Sequence, residues 1–275
     1  MICCRRGLRP FLTLFTKTMA SHQSGWLAGK RVLVTRPAAQ AGGLIRAVEN
    51  QGGIAIACPM VAIEPLPEKQ TSKQKIINFD QYDGVIVVSR NAAQMALDWL
   101  DQYWPQLPAH QQWFVVGEGT ANCLRNAGIE PLVPTSGFNS EALLEFEQLQ
   151  QLEQQRFLIF KGEGGRELLT QQLENRGAVV DWLELYRRVT VNYTDTQLSG
   201  LFSHGGPDAL VATSSGILTA MDSQLADALP MRLELPLVVV SQRIAEIAKQ
   251  LGYRHVFTSP SPADDSIVAT LNVIG

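Results

Sequence analysis

Arg31-Val32-Leu33-Val34 and Glu49-Asn50-Gln51-Gly52 bound a stretch that the chain repeats. The second copy runs from Arg156-Phe157-Leu158-Ile159 to Glu174-Asn175-Arg176-Gly177, at a spacing of 125 positions (156 minus 31). Each copy continues over about 120 residues, which is far longer than one repeat of a solenoid. The pattern therefore indicates that one α/β unit has been duplicated, and that the molecule has two similar domains.

Each copy alternates strands with helices. The apolar run at 84–88 has the continuous form of a strand covered on both faces, and it aligns with 209–213. We predict strands at 31–35, 54–57, 61–63, 84–88, 113–116, 132–133, 157–160, 178–186, 209–213, 237–240 and 255–258, helices at 40–51, 91–104, 119–127, 140–154, 166–176, 216–228 and 242–251, and a linker at 195–207. This order predicts two flavodoxin- or Rossmann-like domains, each a parallel sheet flanked by helices, with a ligand cleft between them.

The composition suits a globular protein of two domains and excludes several other classes. With 45% hydrophobic residues, 18% charged residues and a net charge of -3, the chain has no basic field for nucleic acid. No apolar run is long enough to cross a bilayer.

Residues 1–28 are predicted to be a disordered leader, because Arg9 and Pro10 interrupt an apolar run too short for a signal peptide. The four cysteines lack zinc-ligand spacing, so we expect no metal and a cytoplasmic location.

Small hydroxyl or glycine residues follow the predicted strands directly and lead into helices. In a parallel sheet, ligands bind beyond the carboxyl ends of the strands, where the N–H groups of helix N-termini favour anions. For any one turn, simple N-capping by Ser or Thr is an equally good interpretation. Six such turns in two matched sets favour an anion-binding cleft. The turns begin at Thr35, Ser89, Gly117, Lys161, Ser214 and Ser241.

Two further features suggest what the cleft is used for. Gly117-Glu118-Gly119 resembles the start of a dinucleotide fingerprint, but Asn122 stands at the third glycine position, so nicotinamide binding is not predicted. Tyr186 precedes Arg187-Arg188 where the chain leaves a strand, and its phenol could donate a proton to a leaving hydroxyl. The alternative for Tyr186 is an interface tyrosine with a hydrated hydroxyl.

Over about residues 30–273, the chain resembles the uroporphyrinogen-III synthases. Each matching motif is weak alone, and the order and spacing of all six make the resemblance specific. The motifs are Val34-Thr35-Arg36-Pro37, Ser89-Arg90-Asn91-Ala92, Val116-Gly117-Glu118-Gly119-Thr120-Ala121, Gly162-Glu163-Gly164-Gly165-Arg166-Glu167-Leu168, Tyr186-Arg187-Arg188 and Ser241-Gln242-Arg243-Ile244-Ala245.

The resemblance implies two α/β domains joined by a two-stranded antiparallel ladder. One domain would be discontinuous, formed by 29–58 with 190–275, and the other would be inserted between them at 62–186. The ladder would be formed by 59–65 and 185–191. The repeat alone would place the boundary near residue 150, so the repeat and the domains are expected to divide the chain differently.

The resemblance also implies a reaction and a site. The linear tetrapyrrole hydroxymethylbilane, which carries eight carboxylates, would be closed with inversion of ring D and loss of water, without a cofactor. Tyr186 and Thr120 match residues placed in the family's catalytic cleft. The implied substrate-binding residues are Arg36, Ser89, Asn91, Gly117, Gly119, Lys161, Gly162, Arg166, Arg188, Ser214, Ser215, Ser241 and Ile244.

Three positions depart from the family pattern. Val88 stands where many relatives have Thr, Lys161 where bacterial relatives often have Arg, and Ile244 where a Thr could match Thr120. We therefore expect the second copy to rely on backbone N–H donors more than on a hydroxyl at 244. Two alternatives remain open: a non-catalytic tetrapyrrole-binding or regulatory protein, and a transferase with a nucleotide-linked donor. For the enzyme we expect a monomer, no nucleic-acid or membrane partner, and transient contact with the preceding pathway enzyme.

Overall fold

The computed structural model describes residues 25–137, 139–164 and 167–274. It contains two five-stranded sheets flanked by helices. The strands are β1 Arg31–Val34, β2 Ile54–Ala57, β3 Val61–Pro65, β4 Gly84–Val87, β5 Gln112–Val115, β6 Arg156–Gly162, β7 Val179–Thr190, β8 Ala209–Ala212, β9 Leu237–Val239 and β10 Val256–Thr258. The helices are α1 Ala38–Asn50, α2 Gln70–Ile77, α3 Arg90–Tyr103, α4 Glu118–Asn126, α5 Ser140–Leu143, α6 Leu168–Asn175, α7 Asp195–Leu201, α8 Ser215–Leu225, α9 Gln242–Gln250 and α10 Asp264–Asn272.

The first sheet has the order β10-β9-β8-β1-β2, and all its strands are parallel. Alternate residues of each strand point to opposite faces, so the sheet carries two separate apolar layers. Val32 and Val34 pack on the side of α1 and α10, whereas Leu33 packs with α8 and α9 on the other side. Burial on both faces explains why β1 and β8 are almost continuously apolar.

The second sheet has the order β3-β7-β6-β4-β5, and only β3 is antiparallel to its neighbour. One apolar layer packs Val85 and Phe160 with α3 and α4, and the other packs Ile86 and Phe157 with α6. The two sheets and their helices confirm the predicted fold class. None of the helices in the described residues is long and apolar enough to cross a membrane.

The longest strand, β7, belongs to the second sheet, and the chain continues from its end into the first sheet. Its first half pairs in parallel with β6, from Val179 opposite Arg156 to Glu184 opposite Lys161. Its second half pairs in antiparallel register with β3, which follows directly from the first sheet. These two strands form the ladder that the family resemblance implies.

Tertiary packing overrides the predicted structure in two segments. The sequence predicts one helix over 140–154, but only α5 and a 3₁₀ turn at Glu147–Leu149 form, because Leu149 and Leu152 turn into the core. The predicted linker at 195–207 begins with α7, which Thr194 and Gln197 start with a capping box.

The remaining differences concern short or undetected elements. The strand predicted at 132–133 is a single bridge between Leu132 and Phe114. The helices α2 and α10 are absent from the sequence prediction. Residues 25–28, assigned to the leader, form a turn in which Leu27 is completely buried, and the rest of the leader lies outside the described residues.

The amino end of the second sheet is held by a charged cluster around Asp181. Its carboxylate accepts hydrogen bonds from the Tyr82 hydroxyl at 3.0 Å and from Arg156 at 3.3 Å, and pairs with Lys75 at 3.2 Å. Burial alone would raise the pKa of Asp181. The hydrogen bond from Tyr82 and the charge of Lys75 outweigh burial and hold that pKa below its usual value.

We expect Asp181→Asn to lower the free energy of unfolding by about 1 kcal/mol at pH 7, because the site is only partly shielded from solvent. The lowered folded-state pKa stabilises the protein above the unfolded-state pKa of about 3.9, and this contribution disappears as pH falls through the folded-state value. Urea unfolding should therefore show the difference from wild type at pH 5–7 and a smaller one near pH 3.

The matched control is Asp101→Asn, because Asp101 is an exposed carboxylate for which the described residues offer no ion-pair partner. Its substitution should change the unfolding free energy by less than about 0.5 kcal/mol. Equal losses for the two variants, or a difference for Asp181→Asn that does not change with pH, would contradict the proposed role of the cluster.

Candidate functional site

The predicted turns lie at the carboxyl edges of the two sheets. Three of their serines are N-caps: Ser89 accepts from the Ala92 N–H at 3.1 Å, Ser214 from Ile217 at 3.2 Å and Ser241 from Ile244 at 3.4 Å. The capping interpretation is therefore correct for the hydroxyls of these three turns. It does not exclude a ligand, because a cap satisfies only one of the N–H groups that a helix N-terminus leaves free.

The turn before α4 has no side-chain cap. Gly117 is its N-cap residue in an extended conformation, and Gly119 has open space where a Cβ would lie. The N-terminus of α4 is consequently accessible to an anion. Thr120 lies one turn into this helix and is 6% exposed, so most of its side chain faces the protein interior.

A hydrogen bond joins the two sheets at their carboxyl edges. Gln40, in the first turn of α1, donates its side-chain amide to the Asn91 side-chain oxygen, in the first turn of α3, at 2.9 Å. The turn after β1 and the turn after β4 therefore face each other. This contact places turns from the carboxyl edges of both sheets next to each other, where the sequence predicts the ligand cleft.

Tyr186 lies beside this cleft at the point where β7 changes partners. Its side chain is completely buried. The hydroxyl lies 2.9 Å from the Ser89 Oγ, and Arg188 donates to it from 3.0 Å. The Arg188 guanidinium also lies 5.3 Å from the centre of the tyrosine ring. Both alternatives for Tyr186 assumed an accessible hydroxyl, and the structure instead places it inside a hydrogen-bonded cluster.

The neighbouring strand leaves room for the Tyr186 ring only because it carries glycine. A Cβ on Gly162 would lie 2.7 Å from the ring carbon that bears the hydroxyl. Real side chains essentially never show such a contact, so a larger residue at 162 has to displace Tyr186. Gly162 therefore contributes the space that the tyrosine occupies.

Two of the predicted substrate cations already have partners. Arg36 is buried and binds the Asp264 carboxylate and the Pro262 carbonyl. Lys161 lies 3.5 Å from the Glu184 carboxylate. Arg188 is exposed beyond Tyr186, and Arg166 lies outside the described residues. Arg36 is thus a structural anchor for α10, and a substrate carboxylate would have to compete with Asp264 for it.

Sequence reasoning missed two other cations. Arg90 and Arg243 are exposed in the first turns of α3 and α9, and neither forms an ion pair with any described residue. Both stand in motifs that match the family. Arg90 directly follows the capping Ser89, and Arg243 lies two residues after the capping Ser241. An arginine in the first turn opposes the helix dipole, so its position is unfavourable for the helix alone and makes it a candidate for binding an anion.

The second-copy residues have different environments. Ser215 is half-buried at the start of α8. The side chain of Ile244 is 3% exposed in the apolar core, and its N–H is bonded to Ser241. The Ile244 N–H is therefore used by the N-cap of α9, and the expectation of backbone N–H donors elsewhere in the second copy stays a prediction.

The buried thiol of Cys58 is unreactive, and no metal-binding cluster forms in the described part of the chain. Burial raises the pKa of the Cys58 thiol to about 11, and Tyr193 only partly offsets this. Cys58 is therefore a neutral, poorly nucleophilic group at pH 7. No group of three or more His, Cys, Asp or Glu side chains suited to a metal ion occurs within residues 25–137, 139–164 and 167–274.

Comparison with known proteins identifies the family. The family model for uroporphyrinogen-III synthase HemD (HEM4) matches residues 43–269, which include strands of both sheets. The uroporphyrinogen-III synthase of Escherichia coli (strain K12) is 29% identical over 250 residues, covering 87% of this chain and 99% of the relative. That of Proteus mirabilis is 31% identical over 172 residues, covering 61% and 85%.

Solved structures share the fold. A mutant uroporphyrinogen III synthase of Thermus thermophilus aligns with a TM-score of 0.58 at 16% identity, covering 90% of this chain and 98% of that one. The uroporphyrinogen-III synthetase of Helicobacter pylori 26695 aligns with a TM-score of 0.56 at 12% identity, covering 88% and 97%. With the family match across 43–269, these findings lead to one conclusion: the chain belongs to the uroporphyrinogen-III synthase (HemD) family.

Proposed function

We propose that this protein closes hydroxymethylbilane to uroporphyrinogen III, with inversion of ring D and loss of water. The observation that carries the proposal is the family match over 43–269, which includes strands of both sheets and the turns that begin at Ser89, Gly117, Ser214 and Ser241. A non-catalytic tetrapyrrole-binding protein would need the same cleft. It is less favoured because full-length relatives are synthases by name.

The chemistry asks for positioning more than for strong acids and bases. The substrate must fold so that ring D reacts at the inverted position, and water must be kept from the reactive intermediate. Loss of the hydroxyl needs one proton. The hydroxyls of Ser89 and Tyr186 lie together at the cleft and are the proposed source. Thr120, buried in the first turn of α4, is proposed to line the same site.

The eight carboxylates of the substrate need cations and N–H donors. We propose that the helix N-termini at Gly117, Gly119, Ser214, Ser215 and Ser241 receive some of them, together with Asn91. Among the cations, Arg90, Arg188 and Arg243 are exposed and lack carboxylate partners among the described residues, whereas Arg36 and Lys161 are paired. No ion pair with a described carboxylate therefore has to be broken before the first three bind the substrate.

The two sheets are proposed to be two domains, 29–58 with 190–275 and 62–186, joined by the ladder at 59–65 and 185–191. The sheet membership of the strands supports this division. We further propose that the enzyme works in the cytoplasm as a monomer, without a cofactor, and that its contact with the preceding pathway enzyme is transient. The two ladder strands are the proposed connection between the domains. We propose that so narrow a connection allows the domains to move and the cleft to open and close.

Turnover of freshly made hydroxymethylbilane tests the function directly. We expect mainly the type III isomer among the oxidised products, at a rate above spontaneous closure to type I. Only type I product at the uncatalysed rate, from a folded and monodisperse sample, would contradict the enzyme and leave the binding protein. A rise in melting temperature with nucleotides would instead support the nucleotide-linked transferase.

Replacing Gly162 tests the placement of Tyr186 in the site. Gly162→Ala should cost about 1–3 kcal/mol of unfolding free energy, because the new methyl group overlaps the tyrosine ring. It should also lower turnover by displacing the hydroxyl from Ser89. Urea unfolding and the isomer assay measure the two effects.

Gly200→Ala in α7 is the matched control, since no atom lies within 4 Å of the position that its Cβ would take. Alanine is the better helix former, so this variant should be as stable as wild type or more stable by about 0.5–1 kcal/mol. It should keep full turnover. Full turnover of Gly162→Ala as well would show that the position of Tyr186 does not matter for the reaction.

A further inference from the structure

We infer that Ser89 is the group that delivers the proton to the leaving hydroxyl, and that Tyr186 acts through Ser89. This inference rests on the proposed function, because it assigns roles for that reaction. It differs from the expectation drawn from the sequence, in which Tyr186 itself faced the substrate and Ser89 only bound it.

The direction of the hydrogen bonds follows from a count of donors. A guanidinium has only donors, so the Tyr186 oxygen accepts from Arg188 at 3.0 Å. A backbone N–H also only donates, so the Ser89 Oγ accepts from Ala92 at 3.1 Å. The remaining contact, 2.9 Å between the two hydroxyls, can run in either direction.

Burial decides between the two directions. If Ser89 donated to Tyr186, the hydrogen of Tyr186 would be left over inside a completely buried side chain, where an unmade hydrogen bond is unfavourable. If Tyr186 donates to Ser89, the phenol is fully satisfied. The hydrogen left over is then that of Ser89.

Ser89 is well placed to use this hydrogen. It is half-buried, and it stands at the carboxyl end of β4 as the N-cap of α3. Asn91, two residues after Ser89, accepts a hydrogen bond from Gln40 across the cleft. Tyr186 has no exposed surface, whereas Ser89 keeps part of its surface exposed, so Ser89 is the one of the two that a ligand can contact.

The proton balance of the step can be written in full. The substrate hydroxyl takes the proton of Ser89, its carbon–oxygen bond breaks, and water leaves. Ser89 takes the proton of Tyr186, and the resulting phenolate is stabilised by the Arg188 guanidinium at 3.0 Å. After ring closure, the proton that ring D loses on regaining aromaticity returns through Ser89 to Tyr186. Nothing is oxidised or reduced, and the cluster ends as it began.

The test compares four variants in the isomer assay. Ser89→Ala should lower kcat about 100-fold with little change in KM, since general acid catalysis typically contributes 10²–10⁴-fold. Ser89→Thr keeps both the hydroxyl and the N-cap and should retain kcat within about threefold. Tyr186→Phe should lower kcat about tenfold or more. The double variant should be no slower than Ser89→Ala, because the two hydroxyls act in series.

A control separates catalysis from the loss of a helix cap. Thr194→Ala removes the N-cap of α7 and should lower the melting temperature by a few degrees, as Ser89→Ala does, without affecting kcat. A Ser89→Ala rate within about threefold of wild type, or independent effects that multiply in the double variant, would overturn the relay. If wild type makes type III isomer in those cases, only the relay fails. If wild type makes only type I isomer, the proposed function and the relay fail together.

Discussion

The structure depends on the two sets of hydrogen bonds that β7 makes. Over its first half this strand completes the parallel sheet with β6, and over its second half it completes the ladder with β3. Beyond Gly162 the strand pairs with β3 alone, and the chain then continues from Thr190 towards the first sheet. The changeover falls at Tyr186, which is opposite Gly162 on one side and Pro65 on the other. Backbone pairing thus fixes the position of the tyrosine.

That placement explains why the cluster around Tyr186 is so well ordered. A tyrosine on a surface loop would expose its hydroxyl and lose rotamer freedom on binding a ligand. Here the ring fills the space above a glycine and the hydroxyl has its partners already in place. The cations Arg36 and Lys161 are also held in place, but by carboxylates of the protein. A substrate carboxylate would have to displace those partners, so this order works against binding.

The sequence predicted the architecture better than the site. Repetition and continuous apolar runs such as 84–88 identified the strands and the duplication, because burial on both faces leaves a strong pattern. The shorter elements were less predictable: α7 depends on the capping pair Thr194 and Gln197, and the chain near Leu149 follows core packing instead of helix propensity. The sequence predicted the site as a set of turns at the carboxyl ends of the strands. That prediction requires only the positions of the strands along the chain. The burial of Tyr186 and the Asp264 partner of Arg36 depend on distant residues, and no local pattern reports them.

The contact between Gln40 and Asn91 has a consequence for how this enzyme responds to its solution. It joins two neutral amides, so neither pH near neutrality nor dissolved salt changes its strength appreciably. Attraction of a polyanion to exposed arginines, in contrast, weakens as counterions accumulate. The contact between the two sheets and the attraction of a ligand are therefore governed by different variables. A change in ionic strength is expected to alter how fast a polyanionic ligand arrives, while the hydrogen bond between Gln40 and Asn91 keeps its strength.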